Sequence, residues 1–237
     1  MSISTEIARL QQAKSDLATS ITNKGVTVPA ATTIDGYAAL VDQIQQGGGT
    51  LPYDAEIEYL QSSGTQYINT EFVPNNQSGF YLRAYCTTSG GNHIAFGCRQ
   101  SSGDTRWNVN FSRTLEICWN TYTAYEDYSY INKWVEIENN FLNNRLGKVD
   151  GVTVRTSYST LANIVYPACV FMCNTYGSMA YSFTGRISNV KISQENEVMM
   201  DFIPVRIGTK GYLYDKVSKR LFGNAGTGSF TLGPDKT

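Results

Sequence analysis

The spacing of hydrophobic residues changes at Gly47-Gly48-Gly49, and this change constrains the fold more than any other feature of the sequence. Before the glycines, apolar residues recur at the three- and four-residue intervals of amphipathic helices. After them, short runs alternate between apolar and polar residues, which is the period of half-buried strands. The sequence therefore predicts a helical module at residues 1–46, a Gly-rich linker at 47–53 and a strand-rich domain at 54–237.

The first predicted helix has a heptad pattern. Its a and d positions hold Lys14 and five apolar residues, which are Ile3, Ile7, Leu10, Leu17 and Ile21. A seam of this kind is typical of a helix that associates with copies of itself. The alternative is an amphipathic helix that folds onto its neighbour, a second helix with apolar residues from Ile34 to Ile44. So small a module buries little core, and we expect oligomerisation to supply the missing burial.

The remainder of the chain consists of about a dozen strand-like runs separated by turn signals. The stretch from Glu56 to Phe72 predicts two short strands around a tight turn, and Asp150-Gly151 predicts a two-residue hairpin. The continuous apolar run from Cys169 to Cys173 predicts a central strand, and Gly185 a bulge. The predicted fold class is mainly β, an antiparallel β-sandwich of the jelly-roll type.

Charge and cysteine content argue against several classes of partner. The formal net charge of −1 creates no field that would attract nucleic acid or an anionic membrane. No signal peptide and no apolar run of about 18 residues is evident, so we expect no membrane partner. Five cysteines without a signal peptide predict reduced, buried thiols. With His93 as the single histidine and no CxxC pair, we expect no metal and no other cofactor.

Both ends of the strand-rich domain carry family-like stretches. Residues 58–70 read EYLQSSGTQYINT, and residues 202–206, 211–216 and 221–228 read FIPVR, GYLYDK and LFGNAGTG. These stretches resemble the concanavalin-A-like, laminin-G-like jelly rolls that are common in gut bacteria and their phages. The resemblance implies the fold of that group and specifies no ligand.

The helical module resembles a different group of proteins. Its stretches IARLQQAK at 7–14, KGVTVP at 24–29 and IDGYAALV at 34–41 are similar to a module of phage tail and fibre proteins. That resemblance implies a bacteriophage virion protein, a fibre or appendage on head or tail, assembled as a homotrimer. It also implies contact with other virion proteins through the helices. The implied location is the virion surface, after synthesis in the host bacterial cytoplasm.

Catalysis on this fold would require a suitable pair of carboxylates. Glycoside hydrolases place two carboxylates across the sugar, about 5–10 Å apart. Glu136 and Glu138 share one face of a predicted strand, and the alternative is that they belong to a solvated outer face. The Glu-x-Asp-x-x-Glu arrangement of this superfamily is absent, so we expect no enzyme. Glu126-Asp127 could bind Ca²⁺, but no spaced Asp/Asn ladder accompanies it.

The richest candidate for ligand binding is a tyrosine-rich stretch. Aromatic rings can stack on the faces of pyranose rings, and a carboxylate can accept hydrogen bonds from sugar hydroxyl groups. The candidate carbohydrate-binding residues are Tyr122, Tyr125, Asp127, Tyr128 and Tyr130. The alternative is that half of these tyrosines are ordinary core or strand residues. The first hypothesis is a structural virion protein that binds host cell-surface polysaccharide. The others are a decoration protein with no ligand, and a glycan-cleaving enzyme that uses Glu136 and Glu138.

Overall fold

A computed structural model describes residues 2–22, 26–42, 51–88, 90–100, 105–125, 130–140, 146–155 and 163–237. The chain divides into two compact units, Met1–Pro52 and Tyr53–Thr237. The first unit contains helices α1 (Ile3–Thr22) and α2 (Gly36–Asp42). No helix in the described part of the chain combines the length and the apolar character that a membrane span requires.

The helices of the first unit leave most of the predicted seam uncovered. The Ser2 hydroxyl accepts a hydrogen bond from the Thr5 amide at 3.2 Å and so caps the start of α1. The Tyr37 hydroxyl donates a hydrogen bond to the Lys14 carbonyl oxygen at 3.4 Å, and this bond links α2 to α1. Ile21 is only 2% exposed. Four other seam residues remain exposed, which are Ile3, Ile7, Leu10 and Leu17.

In the second unit, the regular elements of the described residues are strands. In chain order they are β1 Ala55–Glu56, β2 Leu60–Ser63, β3 Ile68–Asn69, β4 Ser78–Cys86, β5 His93–Arg99, β6 Arg106–Phe111, β7 Leu115–Trp119, β8 Thr121–Tyr125, β9 Trp134–Asn140, β10 Leu146–Val149, β11 Val152–Arg155, β12 Cys169–Val170, β13 Cys173–Thr175, β14 Ser178–Ala180, β15 Thr184–Gln194, β16 Glu197–Ile207, β17 Lys210–Asp215, β18 Arg220–Phe222 and β19 Thr231–Leu232.

These strands form two sheets. Within the described residues, the larger sheet has the order β11-β10-β9-β4-β15-β16-β17-β18, joined by β1, β2 and β19. The smaller sheet has the order β14-β13-β5-β6-β7-β8, joined by β3 and β12. All paired strands in these ranges run antiparallel except β5 and β13. The predicted fold class, an antiparallel β-sandwich of the jelly-roll type with N-terminal helices, is confirmed.

Aromatic side chains from both sheets form the centre of the core. The Trp107 ring lies 5.1 Å from Phe96, 5.6 Å from Phe80 and 6.4 Å from Trp119, measured between ring centroids. Phe80 belongs to the larger sheet and the other three residues to the smaller one. Full burial of a large apolar side chain contributes roughly 1.5–3 kcal/mol, so this cluster is a main source of attraction between the sheets.

The stretch from Glu56 to Phe72 contains two short strands on either side of Gly64, as predicted, but the expectation that they pair as a hairpin is wrong. Strand β2 pairs with β15 and β19 in the larger sheet, whereas β3 pairs with β12 in the smaller sheet. The connection between them therefore crosses from one sheet to the other. The buried Gln66 side chain holds this crossing, because its Oε1 accepts from the Ser63 amide at 2.8 Å and from the Ser62 hydroxyl at 3.0 Å. Alternation alone does not reveal which sheet each strand joins.

The predicted hairpin at Asp150-Gly151 is confirmed. The two residues connect β10 to β11 with φ angles of 48° and 78°, and Val149 pairs directly with Val152. Positive φ at both central positions gives the twist that matches antiparallel strands.

Two other predictions change in detail. The apolar run from Cys169 to Cys173 is buried, but it is broken at Phe171, where φ is 69°, and it contributes two short strands. The pairing register of β15 with β4 shifts between Ile187 and Asn189, so the irregularity lies at Ser188 and not at the predicted Gly185. The structural role of Gly185 is close packing, since a Cβ there would overlap the Tyr85 carbonyl oxygen.

The two ends of the second unit are joined to each other. The Tyr67 amide donates to Asn224 Oδ1 at 3.2 Å, and the Ala225 amide donates to the Tyr67 carbonyl oxygen at 2.8 Å. The Thr227 amide likewise donates to the Thr65 carbonyl oxygen at 3.1 Å. The stretches 58–70 and 221–228, which carry the jelly-roll resemblance, therefore contact one another in the fold.

All five cysteines are free and buried, as predicted. Burial raises the pKa of Cys86 to about 11 and the pKa of Cys118 and Cys169 to about 12. These thiols therefore remain protonated near neutral pH, and they act as small apolar groups in the core.

We expect Trp107→Ala to lower the free energy of unfolding of the β-sandwich by about 3–5 kcal/mol, because it removes the ring that contacts aromatic residues of both sheets. Val152→Ala is the control, since this strand residue is exposed and should change stability by less than about 0.5 kcal/mol. Urea unfolding of both variants, followed by circular dichroism, measures the difference. A loss below about 1 kcal/mol for Trp107→Ala would contradict the assigned role of the cluster.

Candidate functional site

The central strand of the smaller sheet separates core residues from polar residues by strict alternation. Along β6, Trp107, Val109 and Phe111 pack in the core. Because successive strand residues point to opposite faces, Arg106, Asn108 and Asn110 lie on the outer face of the sheet. The burial of the tryptophan between the sheets thus places these polar side chains on the outside.

A hollow opens around the middle of these polar residues. Asn108 pairs with Gly97 on β5 and with Cys118 on β7, so small residues flank it on both sides. On one side of this row Arg99 pairs with Arg106, and on the other Asn110 pairs with Glu116. The result is a cavity of about 160 Å³, called the polar pocket below, which is lined by Asn92, Ile94, Arg99, Arg106, Asn108, Asn110, Glu116, Cys118 and Tyr181.

One end of the polar pocket is held by hydrogen bonds. Asn110 Oδ1 accepts from the His93 amide at 2.9 Å, and its Nδ2 donates to Asn92 Oδ1 at 3.0 Å. The same Nδ2 donates to Glu116 Oε2 at 2.9 Å, and the Ser112 hydroxyl donates to Glu116 Oε1 at 3.4 Å. These bonds fix the Glu116 carboxylate in position, where it can accept further hydrogen bonds.

Two of the other lining residues, Asn108 and Arg99, lack such partners. Asn108 is 1% exposed, and neither its amide nitrogen nor its amide oxygen has a nitrogen or oxygen partner, although the Cys173 thiol lies near it. The Arg99 Nε is also buried without an acceptor, and the Arg99 guanidinium lies 5.4 Å from the centre of the Tyr181 ring. A buried polar group without a partner costs roughly 1–3 kcal/mol. The polar pocket therefore presents donors and acceptors that a polar ligand can satisfy.

Burial of a polar group does not by itself identify a site. Asn139 is also buried without side-chain hydrogen bonds, but on β9 it shares the inward face of the core residues Val135 and Ile137. The Cys173 thiol is a neighbour of Asn108. Burial raises the pKa of this thiol to about 11, while the Thr175, Arg99 and Asn108 side chains oppose that shift. Because a thiol is a weak hydrogen-bond partner, the Asn108 amide stays available to bind a ligand.

The larger sheet carries a second concave surface on its outer face. This surface is called the charged groove below; it has a volume of about 950 Å³ and is lined by Glu58, Tyr81, Arg83, Trp134, Glu138, Ser188, Asn189, Lys191 and Lys236. Each of its three lining cations has a carboxylate partner. Arg83 Nε lies 3.6 Å from Glu136 Oε1, and Lys191 Nζ lies 3.5 Å from Asp201 Oδ2. Lys236 Nζ lies 3.9 Å from Glu56 Oε2. The cations of the charged groove are thus already compensated within the protein.

The predicted catalytic pair belongs to this ion-paired face. Glu136 pairs with Arg83, whose guanidinium also lies 4.6 Å from the centre of the Trp134 ring. Glu138 pairs with Lys148 at 3.6 Å. Burial raises the pKa of the Tyr81 hydroxyl to about 12, and a hydrogen bond to Glu136 contributes to the shift. This arrangement corresponds to the alternative reading, in which the two carboxylates form part of a cross-strand charge ladder.

The predicted tyrosine surface borders the smaller sheet. The Tyr130 side chain is 3% exposed, its ring lies 5.3 Å from Phe111, and its hydroxyl donates to the Ser112 carbonyl oxygen. Its ring therefore packs in the core. Tyr122 and Tyr125 lie on β8, where their backbones pair with Cys118 and Leu115. Their side chains, together with Asp127 and Tyr128, lie outside what the structure describes, so their role stays a prediction.

Sequence patterns do not predict Arg99, Asn108 or Glu116 as site residues. The available signal was the run RWNVNF at 106–111, which places two asparagines at successive outward positions of a strand. On a solvated sheet face such positions ordinarily hold charged or hydroxyl side chains, so two successive asparagines are the feature that could have pointed to this site. Within the described residues, no group of three or more His, Cys, Asp or Glu side chains is arranged to hold a metal ion.

Comparison with known proteins supports the fold. No protein-family model matches the sequence, and no curated protein does either. A candidate carbohydrate binding protein from Bacteroides ovatus has a TM-score of 0.55 and 11% identity; the alignment covers 77% of this chain and 61% of that protein. This chain thus spans less than two thirds of that protein's length.

Weaker similarities involve two further solved structures. The CBM40 of the Ruminococcus gnavus IT-sialidase, bound to α2,3-sialyllactose, has a TM-score of 0.42 and 10% identity, with coverage of 61% of this chain and 92% of that one. The heptameric SAP-like pentraxin from Limulus polyphemus has a TM-score of 0.40 and 10% identity, with coverage of 58% and 73%. At these levels neither similarity carries an argument about function.

Two asparagines on one strand offer a direct test of the polar pocket. We expect Asn110→Ala to lower the free energy of unfolding by about 1–3 kcal/mol, because it removes hydrogen bonds to His93, Asn92 and Glu116. Asn108→Ala removes no such bond and should cost less than about 1 kcal/mol. Chemical denaturation of both variants measures the contrast. An equal loss for Asn108→Ala would show that its amide is satisfied in the unliganded protein.

Proposed function

We propose that the β-sandwich binds glycans through the polar pocket. The observation that carries this proposal is the Asn108 amide, buried at the floor of the pocket with both of its polar atoms unpartnered. Ligand sites combine a concave shape with a few precisely placed polar groups, and this pocket has both. The jelly-roll fold and its similarity to a candidate carbohydrate binding protein are compatible with this function.

The lining groups match the chemistry of a sugar. An amide offers a donor and an acceptor side by side, which suits neighbouring hydroxyl groups. The Glu116 carboxylate adds a fixed acceptor, and the Tyr181 ring, 38% exposed, supplies an aromatic surface at the rim. The volume of about 160 Å³ is roughly five times the ~30 Å³ share of a liquid water molecule. This space suits one sugar unit at a time, held by its hydroxyl edge.

We further propose that binding proceeds without catalysis. Hydrolysis of a glycoside requires two carboxylates on opposite sides of the bond, and Glu116 is the single carboxylate that lines the polar pocket in the described residues. The enzyme alternative uses Glu136 and Glu138 in the charged groove. If this chain cleaves a polysaccharide and Glu136→Gln/Glu138→Gln abolishes the cleavage, the alternative is correct.

The helical unit supports a proposal about assembly. Leu10 and Ile7 are each 51% exposed in the single chain, on the heptad seam of a helix 20 residues long. An isolated helix of this length is only marginally stable, and burial of the seam against copies of itself would stabilise it. We propose a homotrimer on the virion surface of a bacteriophage, attached to other virion proteins through these helices. The phage part of this proposal rests on the resemblance of the helical module.

Trimerisation would also strengthen binding to a host surface. One pocket that holds one sugar unit provides little contact area, so its affinity is expected to be weak. Three pockets on one particle convert later binding events into intramolecular ones, and the resulting avidity can far exceed the affinity of a single site. The proposed partner is therefore a repeating polysaccharide on the host cell surface.

The glycan proposal predicts a site-specific loss of binding. We expect the full chain to bind at least one polysaccharide in a panel of purified bacterial surface polysaccharides and whole cells, measured by bio-layer interferometry. Asn108→Ala should weaken that binding about tenfold or more, because the pocket loses its central donor and acceptor. Asn189→Ala, in the charged groove, is the matched control and should leave binding unchanged. No binding across the panel would favour the decoration protein without a ligand.

The assembly proposal predicts a mass in solution. Light scattering of the full chain should give three times the chain mass of 26.2 kDa. Leu10→Asp should reduce this mass, because it places a charge in the seam, whereas Ala8→Asp lies off the seam and should not. A monomeric wild-type chain would refute the trimer and leave a single lectin-like domain as the better description.

A further inference from the structure

Among its described lining residues, the polar pocket has more cationic than anionic side chains. Two guanidinium groups, those of Arg99 and Arg106, and one carboxylate, that of Glu116, line it. The two arginines occupy directly paired positions on β5 and β6, so their side chains leave the sheet on the same face.

The Arg99 side chain provides the second observation. Its Nε is buried without an acceptor, and among the described residues its guanidinium contacts the Tyr181 ring but forms no ion pair. The Glu116 carboxylate, which lies toward the other end of the pocket, already accepts hydrogen bonds from Asn110 and Ser112. Arg99 is therefore a partly buried cation whose hydrogen-bonding capacity the described protein does not use.

The charged groove shows the opposite arrangement. There Arg83 stacks on Trp134 and pairs with Glu136, so its charge is compensated within the protein. Lys191 similarly pairs with Asp201. Among the described residues of the two concave surfaces, Arg99 in the polar pocket is the cation that we identify as having no carboxylate partner.

We infer that the sugar unit recognised by the polar pocket carries a carboxylate. This inference rests on the proposed glycan-binding function and specifies the class of sugar. A guanidinium and a carboxylate can form two parallel hydrogen bonds, a geometry that neutral hydroxyl groups do not reproduce. The Arg99 side chain receives the acid group, while Asn108 and Glu116 contact the hydroxyl groups. The ligand class is therefore an acidic polysaccharide built from uronic acids or related sugar acids.

The test compares each polysaccharide with its own neutral form. Every member of the panel, supplemented with polygalacturonate, alginate and hyaluronate, is immobilised both natively and after chemical reduction of its carboxyl groups to alcohols. We expect the full wild-type chain to bind carboxylate-bearing members and to lose about tenfold or more in affinity after reduction. This comparison uses the unaltered protein and does not depend on the folding of any variant.

Two arginine variants locate the effect. Arg99→Gln should reduce binding to the native polysaccharide about tenfold and should abolish the difference between the native and reduced forms. Arg83→Gln removes the same charge from the charged groove and should leave both values unchanged. The reverse result, with loss in Arg83→Gln and none in Arg99→Gln, would overturn the assignment of the acid group to the polar pocket.

The remaining outcomes separate the two proposals. Equal binding of native and reduced polysaccharides, with loss in Asn108→Ala, would overturn the acidic-sugar inference while the glycan-binding function stands. Absence of binding to every native and reduced member would overturn both. Binding that disappears at moderate salt in Arg99→Gln and wild type alike would show general charge attraction and would also overturn the inference.

Discussion

The alternation of β6 links the core of the protein to its candidate site. Trp107 must face inward, because its ring contacts aromatic residues from both sheets. Asn108 must then face outward, and the same alternation applies at Arg106 and Asn110. A slip of one residue would bury the polar set and expose the tryptophan, so the packing energy of the core also fixes the register of the polar pocket. The small partners of Asn108, Gly97 and Cys118, give the pocket its depth.

The two outer faces of the sandwich differ in how their polar groups are satisfied. On the larger sheet, cross-strand pairs such as Arg83 with Glu136 and Lys148 with Glu138 complete each other. Such exposed pairs contribute little to stability, but they leave few strong donors or acceptors available for a ligand. On the smaller sheet, the Asn108 amide and the Nε of the partly buried Arg99 have no equivalent partners. The free energy that this costs the unliganded protein is recovered when a ligand supplies the missing contacts, which is the physical basis for preferring this face.

Sequence signals succeeded where the determining contacts are local. The heptad spacing predicted α1, and Asp150-Gly151 predicted a hairpin whose φ angles are set by these two residues. Predictions failed where distant contacts decide the outcome. Strands β2 and β3 join different sheets because their pairing partners lie far away in the chain. The Phe171 amide donates to the distant Ala95 carbonyl oxygen, and this residue divides an apolar run that the sequence predicts as one strand. Residues 58–70 and 221–228 form hydrogen bonds with each other, yet no local pattern in the sequence shows that they meet.

The sequence by itself determined the secondary-structure class of each region, the outward or inward placement of residues along β6, and the apolar seam of α1. These features depend on residue spacing alone, and spacing can be read directly from a sequence. Only the tertiary structure decided that Arg99, Asn108 and Glu116 meet in one pocket, since they lie on three different strands. It also placed Tyr130 in the core and compensated the Glu136 and Glu138 carboxylates with cations. Each of these outcomes depends on strand pairing, which brings together residues that are distant in the chain.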